Sequence, residues 1–167
     1  MTMNIKLARV DNRLLHGQIA TVWTKTVQPN RILVVSDAVA QDQLRKVLIT
    51  QAAPAEAKAN VITLAKMAQI YQDARFDGFQ PIILTETLPE MAALVAQGVD
   101  LTALGVNVGN LAYTAGKTML TASVAVDDTD ITAAEQLVAA GVDVYTQTVP
   151  TDRKQDFLKL VAKKGLS

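Results

Sequence analysis

With 167 residues, of which 50% are hydrophobic and only 4% aromatic, the chain is long enough to bury one continuous core built mainly from Ala, Val, Leu and Ile. Its 16 basic and 16 acidic residues cancel and are mixed along the sequence, so no field is available to hold a nucleic-acid backbone or an anionic membrane. The absence of cysteine removes disulfides, thiolate nucleophiles and Cys-based zinc sites, as suits a reducing cytoplasm, and a single histidine excludes His-rich metal sites.

The N-terminus, Met1-Thr2-Met3-Asn4, runs into a strand pattern with neither the basic stretch nor the apolar block of a signal peptide. No apolar run of about eighteen residues follows that could span a bilayer. Short apolar runs then alternate with segments of helical period from end to end, without a linker. Strands are predicted over 5–10, 31–35, 59–63, 81–84, 103–108, 122–126 and 143–148. Most are Val/Ile-rich and nearly unbroken, as parallel strands covered on both faces are. Helical stripes are formed by Ile19, Val22, Trp23 and Val27, by Leu44, Val47 and Leu48, and by Leu64, Met67, Ile70 and Tyr71, each needing a sheet to cover. Further helices are predicted over 89–97 and 130–140, stopped by Gly98 and Gly141, and from about Thr151 to the Lys163-Lys164-Gly165 end. The pattern predicts a single α/β domain over 1–167, with an open, mainly parallel twisted sheet of about six or seven strands and helices on both faces. Ligands of such sheets bind beyond the C-terminal strand edge, which directs attention to the loops at 11–17, Ser36-Asp37 and 107–116.

The first of these loops carries the only histidine, in Asp11-Asn12-Arg13-Leu14-Leu15-His16-Gly17-Gln18. Unpaired N–H groups and the positive dipole end at a helix start hold anions, and Gly17 would let the backbone come close. Arg13 adds a bidentate cation three residues before the imidazole. The helix end disfavours the imidazolium, leaving a neutral ring nitrogen to attack phosphorus. Asp11 could fix the tautomer or orient Arg13, whereas Arg9 either lines the site or forms an exposed ion pair with Asp11 worth at most about 1 kcal/mol. Against this stands the plain alternative that a solitary histidine near a helix start is a cap or a packed side chain.

Other motifs carry less. Gly116-Lys117-Thr118 lacks the rest of a Walker A loop, and Gly105-Val-Asn-Val-Gly-Asn110 is not a dinucleotide fingerprint, so its glycines read as turn residues near the ligand edge. A receiver domain would need an aspartate ending the third strand, where this chain reads Val61-Ile62-Thr63. Asp127-Asp128-Thr129-Asp130 reads as a helix cap, and Trp23 as a core residue whose indole N–H reaches a polar partner.

Taken together, several segments resemble the IIB components of the mannose-type sugar phosphotransferase system, also called the mannose/fructose/sorbose family. They are Ala8-Arg-Val-Asp-Asn-Arg-Leu-Leu-His-Gly-Gln18, Val22-Trp-Thr-Lys25, 31–40, Ala52-Ala-Pro54, Asn107-Val-Gly-Asn110, Gly116-Lys-Thr118 and Gln147-Thr-Val-Pro150. The resemblance implies a phosphocarrier enzyme in which His16 accepts a phosphoryl group from a phosphohistidine of the IIA component. His16 then passes it to a sugar brought in by the membrane components IIC and IID. By the same resemblance Arg13, Asp11, Arg9, Gly17 and Gln18 bind or orient the phosphate, while Ser36, Asp37 and Asn107 belong to neighbouring loops. No metal or cofactor is implied beyond the transient phosphoryl group, nor any nucleic acid or direct membrane insertion. The protein is expected to be cytoplasmic and peripherally associated with the membrane through IIC and IID. Asn12 stands where an acid is common, Leu15 where isoleucine is common, and Asn110 where many members have a second glycine. The chain starts at the IIB motif without the fused IIA domain of some relatives, which implies a free subunit. The rival reading is a non-catalytic anion- or nucleotide-binding α/β module.

Overall fold

A computed structural model describes residues 2–166. Seven strands form one sheet in the order β3-β2-β4-β1-β5-β8-β9. They are β1 (Leu7–Asp11), β2 (Arg31–Val35), β3 (Lys58–Ile62), β4 (Pro81–Thr85), β5 (Val106–Asn110), β8 (Val144–Thr146) and β9 (Gln155–Asp156). All pair in parallel except β9, which runs antiparallel to β8. A separate two-stranded hairpin joins β6 (Thr118–Met119) to β7 (Ala125–Val126).

Alternate residues of each strand enter two different cores. Ala8, Val10, Leu33, Val35, Ile83, Val106 and Val108 pack beneath α4 (Leu64–Tyr71), α5 (Leu88–Ala96), α6 (Asp128–Ala139) and α7 (Phe157–Lys163). On the opposite face Leu7, Ile32, Val34, Val61, Ile82 and Leu84 meet Ile19, Ala20 and Trp23. Those three residues belong to a π-turn, Ile19–Trp23, that continues into α1 (Thr24–Val27). The helices start where the sequence provides caps: Thr87 and Glu90 form a capping box for α5, and Asp127 and Asp130 form one for α6. Gly98 and Gly141, both at positive φ, end those two helices as expected.

This winding places a crevice. The chain leaves β1 for the face of Trp23, while the flanking strands β4 and β5 send their connections to the other face. Loops diverging to opposite sides open the sheet edge above β1, the place where doubly wound folds bind ligands.

The structure corrects several expectations. Of the stretch 122–126 only Ala125–Val126 is a strand, and it lies outside the main sheet. The last helix begins at Phe157 and not near Thr151, because 155–156 pair with β8 first and Asp156 then caps the helix through the Lys159 N–H. Asn107 and Gly109 lie within β5, not in a loop. Between α2 (Asp37–Ala40) and β3, helix α3 (Gln43–Gln51) turns Leu44, Val47 and Leu48 outward, since Ile49, Ala52 and Ala53 already cover the sheet there. Val22 is likewise exposed.

Candidate functional site

The chain leaves β1 at Asp11 and is helical again from Gly17. In between, the Leu14 N–H donates to the Asp11 carbonyl (2.8 Å), closing a turn in which Leu14 adopts φ +57°. A left-handed leucine costs about 1–2 kcal/mol. Burial of Leu14 and Leu15 under the first helix, worth roughly 1.5–3 kcal/mol each, offsets it. The two leucines press the loop onto the core and leave Arg13 half-exposed and His16 partly accessible. The far side of the loop is tied to β5: the Asn12 N–H donates to the Asn110 carbonyl (3.1 Å), and the Asn110 amide donates to Asn12 Oδ1 (2.8 Å).

Asp11, the last residue of β1, is fully buried and organises the loop. Its Oδ1 accepts from the Arg13 backbone N–H (3.0 Å), with Arg13 Nε at 3.5 Å. Its Oδ2 accepts from Arg9 Nη2 (3.2 Å) and meets His16 Nε2 at 3.1 Å. Burial alone would raise the Asp11 pKa, but the hydrogen bonds from His16 and Arg13 and the charge of Arg9 outweigh it and hold the carboxyl below its ordinary value. At neutral pH the group is therefore an acceptor only. The contact at 3.1 Å then requires a proton on Nε2, and in the neutral ring this leaves the Nδ1 lone pair free.

Behind Asp11 lies a buried cation. Arg9 Nη1 donates to Asn107 Oδ1 (2.7 Å) and to the Gln147 carbonyl (3.1 Å), and Cζ stands 5.3 Å from the centre of the Trp23 ring. The Asn107 amide reaches the same Gln147 carbonyl (3.1 Å), while the Trp23 indole donates to the Thr148 carbonyl (3.1 Å). Burial pulls the guanidinium pKa down, partly countered by Asp11. Removing two charges from water costs several kcal/mol per ion, and an apolar pair of similar volume would serve stability as well or better. A buried Arg–Asp pair ending one side chain from a loop histidine is better explained by the site than by the fold.

The expectations fare unequally. His16, Asp11, Arg13 and Arg9 do converge. Arg9, however, forms no exposed ion pair: its side chain is fully buried and bonds Asp11 from inside the protein. Asn107 serves as its buried partner. Gly17 is exposed with open space around it, and Gln18 sits half-buried in the first helical turn. Ser36 and Asp37 act elsewhere. Ser36 caps α2 through the Val39 N–H and donates to Glu86 (3.2 Å), and Asp37 accepts from the Leu64 N–H (2.9 Å). None of these bonds reaches the histidine loop. Trp23 is, as expected, a core residue whose indole N–H reaches a polar partner, and its ring also faces Arg9; the parts played by Leu14 and Gln147 are not among the expectations. The available signal was period two in β1, which sets Leu7, Arg9 and Asp11 on one face of an otherwise apolar strand. Among the described residues no group of three or more acidic or histidine side chains is placed to hold a metal ion.

Known proteins place the chain. Residues 5–167 match the family model for the PTS system sorbose subfamily IIB component. The mannose-specific EIIAB component of Escherichia coli K12 is 42% identical over 161 residues, 96% of this chain, which spans about half (49%) of that relative's length. The fructose-specific EIIB component of Bacillus subtilis is 38% identical over 159 residues, covering 95% of this chain and 96% of that protein. The crystal structure of the IIB domain of the sorbose permease from Klebsiella pneumoniae superposes with a TM-score of 0.92 at 34% identity, over 96% of this chain and 98% of that one. The chain belongs to the sorbose-subfamily IIB components of the sugar phosphotransferase system.

Proposed function

We propose that this IIB component is a phosphocarrier that holds its phosphoryl group on Nδ1 of His16. One observation carries the assignment of the atom: Asp11 Oδ2 lies 3.1 Å from Nε2 and occupies that nitrogen, so Nδ1 is the ring atom left with a free lone pair. In the loading step the P–N bond of a phosphohistidine on the IIA component breaks as the bond from phosphorus to Nδ1 forms. Asp11 steadies the positive charge that the His16 ring acquires. Arg13, half-exposed and bound only loosely to Asp11, turns its guanidinium to the equatorial phosphoryl oxygens, where charge compensation governs the rate. The N–H groups at the start of the first helix assist. In the unloading step a sugar hydroxyl attacks phosphorus, the bond to Nδ1 breaks, and the hydroxyl proton goes to solvent.

The partners of this cycle are the IIA donor and the membrane components IIC and IID, which deliver the sugar and hold the protein at the cytoplasmic face. Among the described residues no helix is long and apolar enough to cross a membrane. Incubation with phosphoenolpyruvate, the upstream phosphotransferase proteins and IIA is expected to give an acid-labile, base-stable phosphate that His16→Ala lacks. Subsequent addition of membranes containing IIC and IID with sugar should discharge it. A wild-type chain that binds phosphate reversibly without covalent labelling would mark the non-catalytic anion-binding module instead.

A further inference from the structure

Arg9 reaches Gln147 by crossing the sheet surface. It pairs in register with Asn107 on β5, and two residues on, where the β1–β5 register shifts and Gly109 is left without a partner in β1, β5 passes against the guanidinium. The guanidinium lies over Gly109: a Cβ built there would stand 2.0 Å from Arg9 Cζ, 2.1 Å from Nη2 and 2.5 Å from Nε. No other described glycine is so placed, the next tightest contacts being 3.2 Å at Gly98 and Gly105. Gly109 is not at positive φ, so its backbone does not call for glycine; the requirement is room for another residue's side chain.

An arginine tip in solvent would step aside from a methyl group, but this one has nowhere to go. Trp23 closes the space above, and Asp11, Asn107 and the Gln147 carbonyl hold the two terminal nitrogens. Nε is buried without a partner, so the guanidinium is held in place by the bonds of its two terminal nitrogens. Any displacement that clears a side chain at 109 must stretch the contact from Nη2 to Asp11, the group that bonds His16.

We propose that Gly109 is a positioning residue for the phosphoryl-acceptor site: its missing side chain seats Arg9, Arg9 holds Asp11, and Asp11 fixes the His16 ring with Nε2 protonated. The inference rests on the reading of His16 as acceptor and extends it to a strand residue remote from the loop. The protein's single histidine and single tryptophan make each link separately observable. Long-range 1H–15N spectra of the unphosphorylated protein, taken above the imidazole's titration range, should show the Nε2–H tautomer alone. Gly109→Ala should give a mixture of tautomers, a shifted Trp23 emission and phosphoryl acceptance slowed by about 10²-fold, the usual consequence of displacing a reacting group by an ångström. In an Arg9→Leu background, which removes the obstructing atoms, Gly109→Ala should change neither tautomer nor rate further. Should Gly109→Ala fail to fold, the double variant is expected to fold as well as Arg9→Leu alone. Wild-type tautomer and rate in Gly109→Ala would overturn the proposal, as would an undiminished effect in the Arg9→Leu background or a double variant that fails to fold where Arg9→Leu folds. A wild-type protein with a fixed tautomer that never accepts phosphate would instead refute the acceptor reading, and the tautomer comparison would still decide the role of Gly109.

Discussion

Asp11→Asn changes one atom and should damage the site more than the fold. The carboxylate now accepts on both oxygens, from the Arg13 N–H on one side and from Arg9 and His16 on the other. An amide can accept on one side only. With its oxygen toward Arg9, the NH2 opposes the Arg13 N–H; with its NH2 toward Arg9, two donors collide and His16 is driven to accept at Nε2, placing the proton on Nδ1. Either way Arg9 is left buried without a counter-ion, for which breaking a buried pair costs about 3–5 kcal/mol. For a domain of this size 1 kcal/mol corresponds to about 2–4 °C, so the melting temperature should fall by roughly 6–20 °C, leaving a folded protein at room temperature. Phosphoryl acceptance should drop much further, by about 10⁴-fold, as when the same exchange gives the catalytic histidine of a serine protease the wrong tautomer. Quench-flow with phosphorylated IIA, beside thermal denaturation followed by circular dichroism, measures both. An Asp11→Asn variant that loads within a few-fold of wild type would refute the tautomer argument, whatever its stability.

Other perturbations separate the roles. Arg13→Ala should slow loading markedly while shifting stability by no more than about 0.5 kcal/mol, because its side chain is half-exposed and its ion pair is long; an unchanged rate removes it from the mechanism. Leu14→Ala removes a fully buried side chain that holds the loop down and should cost about 2–5 kcal/mol in urea titrations, an outcome near zero contradicting the anchoring role. Since Asp11 has its pKa depressed in the folded state, its contribution to stability is complete above the unfolded value of about 3.9 and is lost as pH falls through the lower folded value. Wild type and Asp11→Asn should therefore begin to converge in stability as pH falls below about 4 and meet only below the lower folded value, and parallel curves over that range would contradict the assignment.

The architecture was readable because parallel strands buried on both faces are continuous apolar runs, and because Gly98, Gly141 and the cap at Asp127 punctuate the helices. The reading failed where tertiary placement decided. Leu44, Val47 and Leu48 have a helical spacing, yet which side of α3 meets the sheet depends on Ile49, Ala52 and Ala53 reaching it first. The strand at 155–156 is two residues long and polar, too short for any periodicity. Within the site, His16 and its charged neighbours were visible as a local motif. The buried depth of Arg9 was not, because it depends on Asn107, Gly109 and Gln147, distant in sequence and joined to it only by the β1–β5–β8 order.

Whether His16 carries the phosphoryl group on the nitrogen opposite Asp11 can be read from 31P and long-range 1H–15N spectra of the phosphorylated protein. One phosphohistidine is expected, substituted at Nδ1 with Nε2 still protonated. Substitution at Nε2, or phosphate on any residue other than His16, would contradict it.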